Sequence, residues 1–328
     1  MVRILSDDDV RGLLDMNDVM EVVDDALVKQ GAGAVERPER PHYPVGIGLD
    51  DDSPETPLGT GLVMPAYVHG AKYAATKLVS VHEDNADRDL PTTNAQIALS
   101  DAETGRPVAY MDGRAVTGAR TGSIGGLAVE NLTSGPVRVA IIGAGAQARW
   151  QIRAIGAATT IDTVAFYSPS EESRTEAAAT MRDELGIDAF STNSPETVVG
   201  EADVVVTATT SSEPVFSGEA LTEGTVVVAV GAYTEAMQEI DAKTFDRAAR
   251  VFADVPEEVY EIGDLQESTL WKNDLTPFAT LLTGDVDRGD ESDIVVVESV
   301  GSAVMDAATG EYVFERAEAA DVGTEISF

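Results

Sequence analysis

Residues 137–148 read Val-Arg-Val-Ala-Ile-Ile-Gly-Ala-Gly-Ala-Gln-Ala, and this stretch restricts the fold of the 328-residue chain more than any other feature. An apolar strand runs into G-x-G-x-x-A and then into a helix-compatible run, 147–157. Glycines at such a turn let a pyrophosphate approach the backbone and rest on the helix N-terminus. Alone, the pattern often marks nothing more than a tight turn, so its setting decides. Strand-like segments at 137–142, 163–167, 203–208, 225–230 and 250–253 alternate with helical ones, and 294–298 adds a further strand. That rhythm predicts an α/β fold with a doubly wound parallel sheet covered on both faces. In that setting Gly143, Gly145, Ala146, Gln147 and Ala148 are expected to hold a dinucleotide.

The second strand should end about 20 residues past the turn, where an acid would bind the ribose 2′-OH of NAD. The chain instead reads Phe166-Tyr-Ser168-Pro-Ser170, with Arg174 beyond. Hydroxyls and an arginine suit a 2′-phosphate, which favours NADP over NAD. The plain structural alternative is that Ser168 and Ser170 cap the next helix and Arg174 is solvated.

Ahead of this region the pattern differs. Ser6 and Asp9 form a capping-box pair before a short helix, and Asn17 is placed to cap a second. A Pro-rich extended stretch at 37–45 and an acidic, exposed loop at 50–60 follow. Short strands are expected at 61–64, 73–81, 96–100 and 107–111, the last two joined by the turn Asp101-Ala-Glu-Thr-Gly105. Residues 114–132 read as a helix rich in Gly, Ala, Ser and Thr, and 302–320 as a closing helix.

Composition narrows the function. Asp and Glu number 58 against 22 Lys and Arg, a net charge of −36 spread along the whole chain. Such a field repels nucleic acid and anionic membranes, so neither is an expected partner. It suits a high-salt cytoplasm, where screening removes the self-repulsion. No apolar run approaches the roughly 18 residues of a membrane span, and the start Met-Val-Arg-Ile-Leu-Ser has no signal-peptide character. Without cysteine there is no disulfide, thiolate nucleophile or Cys-based metal site. The three histidines, His42, His69 and His82, are scattered, and no spacing suggests a metal. A cytoplasmic location is expected.

Several short motifs then fall into a known order. Met64-Pro-Ala-Tyr67, Thr76-Lys-Leu-Val79, the turn Asp101–Pro107, Met111-Asp-Gly113 and Arg120-Thr121 precede the glycine turn. Glu298-Ser-Val-Gly301-Ser-Ala and Asp306 follow it. In this order the chain resembles the ornithine cyclodeaminase and mu-crystallin family, which includes archaeal alanine dehydrogenases and ketimine reductases. The resemblance implies a homodimer whose subunit has two parts. One, built from 1–115 and 302–328, carries the dimer interface and much of the substrate pocket. The other, 116–301, is a Rossmann domain. It also implies that a lysine and two arginines face a substrate carboxylate. By position these are Lys77, Arg40 and Arg120, although Arg37 is close enough to be the match in place of Arg40. Arg120 and Thr121 are further implied at the cofactor. So are Thr207, Ala208 and Thr209, Val230 and Gly231, and the run Ser299–Ser302 with Gly301.

One position departs from the family. Cyclodeaminases and the archaeal alanine dehydrogenase place an aspartate just after the fourth Rossmann strand, where this chain has Gly231-Ala-Tyr233-Thr-Glu235. Tyrosine, with an unperturbed pKa near 10, is a poor base but a usable acid or orienting hydroxyl. Reducing a preformed imine asks for fewer proton transfers than cyclising ornithine. The expectation is therefore an imine reductase or amino-acid dehydrogenase, with Lys77 and Tyr233 as catalytic candidates and a small amino or imino acid as substrate. Ornithine cyclodeaminase, with Glu235 or Tyr233 replacing the aspartate, is the first alternative. A non-catalytic dinucleotide-binding protein is the second.

Overall fold

The structure is a computed structural model and describes residues 1–49, 53–88 and 90–327. The chain begins with β1 (Val2–Leu5), α1 (Asp7–Leu13) and α2 (Met16–Gly31). Ser6 closes the expected capping box, its hydroxyl accepting from Asp9 N at 3.2 Å while Asp9 Oδ2 accepts from Ser6 N at 2.9 Å. Helix α2 already includes Met16, so Asn17 stands in its first turn and is not its cap. Next come β2 (Val35–Glu36), β3 (His42–Val45), β4 (Gly59–Val68), β5 (Tyr73–Val81), β6 (Thr93–Asp101), β7 (Pro107–Asp112) and α3 (Arg114–Leu132). Of the acidic loop expected at 50–60, Asp50, Asp51 and Asp52 lie outside the described residues.

The strand–helix series follows as β8 (Val137–Ile142), α4 (Ala146–Ala158), β9 (Ile161–Tyr167), α5 (Glu171–Leu185), β10 (Ala189–Thr192), α6 (Pro195–Val199), β11 (Val204–Thr207) and β12 (Val226–Ala229). It continues with α7 (Ala242–Arg247), β13 (Ala248–Ala253), α8 (Pro256–Val259), α9 (Gly263–Gln266), β14 (Thr276–Pro277), α10 (Phe278–Leu282) and β15 (Ile294–Glu298). The last elements are α11 (Ala303–Ala320) and β16 (Thr324–Ile326).

The chain forms two compact units. The first comprises Met1–Asp15, Ala32–Arg120 and the residues from Ala303 on; the second comprises Met16–Gly31 and Thr121–Ser302. The division expected from the sequence put all of 1–115 in one part. The fold instead assigns α2 to the second unit, where it packs on α4 and α10, and the break falls within α3.

In the first unit the strand order is β16-β1-β7-β6-β5-β4-β2, with β3 also on β4. Pairing is antiparallel except between β1 and β7. Alternation buries Ala75, Ala95, Ile97, Leu99, Ala109 and Met111 on one face. Helix α11 packs on β4, β5 and β6. Lys77 lies on that same face, in register with Ile97, which is itself opposite Met111. Leu78 and Tyr110 point the other way and are exposed.

The second unit holds the expected sheet, in the order β10-β9-β8-β11-β12-β15-β13-β14, with every pairing parallel. Strands β11, β12 and β15 are buried at every residue, as a sheet covered on both faces requires. The chain direction of assembly reverses between β8 and β11, which opens a crevice at their C-terminal ends.

Candidate active site

The first unit's site is built around a buried ion triad. Lys77 is 2% exposed, on a strand face otherwise apolar. Its Nζ lies 2.7 Å from Asp306 Oδ2 and 3.5 Å from Thr117 Oγ1. Arg120 Nε reaches Asp306 Oδ1 at 3.0 Å, so one carboxylate from α11 serves two cations. Burial pushes the Lys77 ammonium down to about 8; Arg120 and Arg40 add to that, while Asp306 opposes it. Burial would raise the Asp306 carboxyl, but Arg120 and Lys77 outweigh it and hold Asp306 below the usual carboxylate range. Arg40 is half-buried and near enough for its charge to reach Lys77. Arg120 has no acid at helical spacing; its partner comes from 186 residues away.

The glycine turn follows the expected geometry. Gly143 has φ +121°, and a Cβ there would sit 2.5 Å from the Ala208 carbonyl oxygen, so only glycine fits. Gly143 N donates to Tyr167 O at 2.8 Å, fixing the turn to the end of β9. Gly145 caps α4 without a side-chain hydrogen bond, and a Cβ on it would meet nothing within 4 Å. Gly145 and Ala146 are exposed, Gln147 is half-buried, and Ala148 is buried against the sheet. The turn therefore has open space at a helix N-terminus, and its residues fit a pyrophosphate.

At the end of β9, Ser170 is the N-cap of α5, its hydroxyl accepting from Ser173 N at 3.2 Å. Arg174 Nη1 donates to Ser168 O at 2.9 Å, and its Nη2 is 3.8 Å from Glu171. The plain structural alternative thus accounts for Ser170, while Arg174 braces the loop it was expected to serve.

The loops after β11, β12 and β15 are held by acids that the sequence did not single out. Glu239, fully buried, accepts from Thr207 Oγ1 at 2.9 Å, Thr209 N at 2.6 Å and Gly231 N at 2.7 Å. Asp254 accepts from Ser299 Oγ at 2.7 Å, Val300 N at 3.2 Å and Gly301 N at 2.9 Å, with Gly301 at φ +77°. Ala208 N donates to Ile142 O at 2.9 Å and Val230 N to Thr207 O at 3.1 Å. Thr121 is buried, and its carbonyl accepts from Gln151 Nε2 at 2.8 Å. Tyr233 is half-buried against the second unit's core. Glu235 is exposed, so the acid that turns back onto the Gly231 loop is Glu239, four residues further on. No local pattern distinguishes Glu239 or Asp254 in sequence, because their partners lie on other loops. His69 Nε2 is 3.0 Å from Glu36 at the surface. Among the described residues no group of three or more His, Asp or Glu is placed to hold a metal, and no helix is long and apolar enough to cross a membrane.

Together the fold and the cofactor turn define an NAD(P)-dependent oxidoreductase. Comparison with known proteins gives the next step. The chain belongs to the ornithine cyclodeaminase/mu-crystallin family, whose profile matches residues 2–321. It is 31% identical to a Delta(1)-pyrroline-2-carboxylate reductase of Bacillus cereus, over 99% of both chains. Among solved structures, the Thermococcus litoralis Delta(1)-pyrroline-2-carboxylate reductase in complex with NADH and L-proline superposes with a TM-score of 0.92 at 29% identity, covering 99% of this chain and 100% of that one. An archaeal alanine dehydrogenase dimer with bound NAD superposes at 0.90, also at 29% identity, covering 100% and 99%.

Proposed function

We propose that this protein uses NAD(P)H to reduce a small ketimine carboxylate to the corresponding amino acid, with Delta(1)-pyrroline-2-carboxylate as the first substrate to try. The coarser activity is that of an oxidoreductase acting on the C–N bond of a small amino or imino acid. The observation that carries the reading is the Lys77–Asp306–Arg120 triad with Arg40 beside it. One carboxylate, Asp306, serves both Lys77 and Arg120, so this buried group stays net positive inside a molecule of charge −36. A carboxylate is the ligand such a cluster attracts. Asp306 engages Arg120 through Nε, which leaves the two terminal nitrogens to close on a carboxylate as a fork.

The cofactor, when bound through Gly143, Gly145, Ala146, Gln147 and Ala148, supplies the hydride. The protein's part is to hold the substrate carboxylate on Arg40 and Arg120 and to keep a proton at Lys77 Nζ. A group near 8 both holds and releases a proton close to neutral pH, as a general acid must. Asp306 keeps Nζ charged despite burial. Tyr233 contributes a phenol where cyclodeaminases have a carboxylate, which supports imine reduction over ornithine cyclisation. The exposure of Glu235 weakens the cyclodeaminase alternative further. At the end of β9 Ser168 stands in place of the acid that NAD-binding proteins use, and Arg174 is beside it, which supports NADPH as the better donor even with Glu171 3.8 Å from that arginine. The exposed Leu78 and Tyr110 of the first unit's outer sheet face suit a homodimer contact.

The test is oxidation of NADPH and NADH in concentrated KCl with Delta(1)-pyrroline-2-carboxylate, its six-membered-ring homologue, and pyruvate with ammonia. Turnover with an imino acid is expected. Proline and ammonia from L-ornithine with only catalytic NAD would replace this reading by the cyclodeaminase one, and dinucleotide binding with no turnover by the binding-protein one.

A further inference from the structure

Three residues read as cofactor contacts, Thr207, Thr209 and Gly231, direct their donors to one side chain. Glu239 Oε2 takes the Thr207 hydroxyl and the Gly231 amide, and Oε1 takes the Thr209 amide. The fit is close, since a Cβ on Gly231 would lie 2.6 Å from Glu239 Cδ. Glu239 is in turn fixed from behind. Its own amide donates to Asp264 Oδ1 at 2.5 Å and the Ile240 amide to the same oxygen at 3.0 Å. Val215 N donates to Glu239 O at 2.8 Å. A buried carboxylate therefore bolts the loop after β11 to the loop after β12. In a doubly wound sheet these loops lie on the half of the crevice beyond the switch point. That half receives the nicotinamide when the pyrophosphate rests on the turn after β8.

We propose that Glu239 is the positioning residue for the nicotinamide half of the site. It sets the spacing of the β11 and β12 loops and turns three of their donors away from the ring. The ring then meets the carbonyls and the shape of these loops. The proposal rests on the dinucleotide reading above. A carboxylate is needed here because three donors converge on two oxygens; an amide would aim its own N–H groups at one or more of them.

The experiment compares the Kd of NADH with that of ADP-ribose, which lacks the nicotinamide ring, by calorimetric titration of the wild type, Glu239→Gln and Thr207→Val. Glu239→Gln is expected to weaken NADH about tenfold, Thr207→Val about threefold, and both to leave ADP-ribose within about twofold. Equal losses for the two ligands would reduce Glu239 to a structural role and overturn the proposal, as would no loss of NADH affinity. Should Glu239→Gln fail to fold, Thr207→Val carries the same comparison with the same two overturning outcomes. A wild type that binds neither ligand would overturn the dinucleotide reading itself, and the proposal with it.

Discussion

Each unit buries acids, and satisfies them in opposite ways. In the first, Asp306 faces the cations Lys77 and Arg120 and is held below the usual carboxylate range. In the second, the hydrogen bonds of Glu239 and Asp264 come from amides and a hydroxyl. Burial raises Glu239, lifts Asp264 to about 7, and raises Glu298 well above its ordinary value, the last with help from the neighbouring acids Asp264, Glu239 and Asp254. The difference is one of task. An acid paired with cations is a counter-ion, and a second carboxylate can come to share those cations. An acid satisfied by amides is a frame, and any change in it displaces backbone.

The comparison can be tested at several points. The largest effect is expected at Lys77, where Lys77→Ala should lower kcat/KM by about a thousandfold or more while ADP-ribose binding is kept. Retained turnover in steady-state assays would remove Lys77 from the chemistry. Next comes Asp306→Asn, which leaves two buried cations short of a counter-ion and should cost about 3–5 kcal/mol in denaturant unfolding. Asp264→Asn, a change in the frame, should cost about 1–3 kcal/mol; equal costs would erase the distinction. The pH responses should also diverge. Lys77 is depressed to about 8, so imine reduction should decline as pH rises through about 8, in kcat/KM measured against pH. Its stability contribution is present above the unfolded lysine value near 10.5 and lost as pH falls through about 8. Asp264 runs the other way over a lower window. Its contribution is full below about 3.8 and lost as pH rises through about 7, a slope that Asp264→Asn should flatten in thermal melts. The smallest effect is expected at Arg174, where Arg174→Ala should narrow a preference for NADPH over NADH by about three- to tenfold. An unchanged KM ratio would leave that arginine as a loop brace.

Local chemistry was what the sequence made legible. The strand, the glycine turn and helix α4 are contiguous, which made the turn legible, although the atom that excludes a side chain at Gly143 is the Ala208 carbonyl oxygen far along the chain. The Ser6–Asp9 capping box spans four residues and was readable for the same reason. The four-residue strand β1 was not, because its pairing with β7 and β16 defines it more than its own pattern does. The site divides along the same line. Lys77 and Arg120 stood out as charges on elements that ought to bury them, but what compensates them lies far along the chain. Asp306 carried a family match and no visible role. Glu239 carries neither, and Glu235, which is nearer in sequence to the expected aspartate position, is exposed.

The distance between Arg120 and Asp306 has a consequence for how the protein is made. The lysine, the arginine and the strands that bury them are translated before the 121–302 part of the second unit. Only afterwards come Asp306 and the helix that covers the sheet. During synthesis the nascent first unit thus carries two uncompensated cations and an uncovered apolar face, while the second unit, apart from α2, is contiguous and can close as it emerges. The order of translation makes the dinucleotide unit the one free to fold first, and the buried ion triad the last part to be finished.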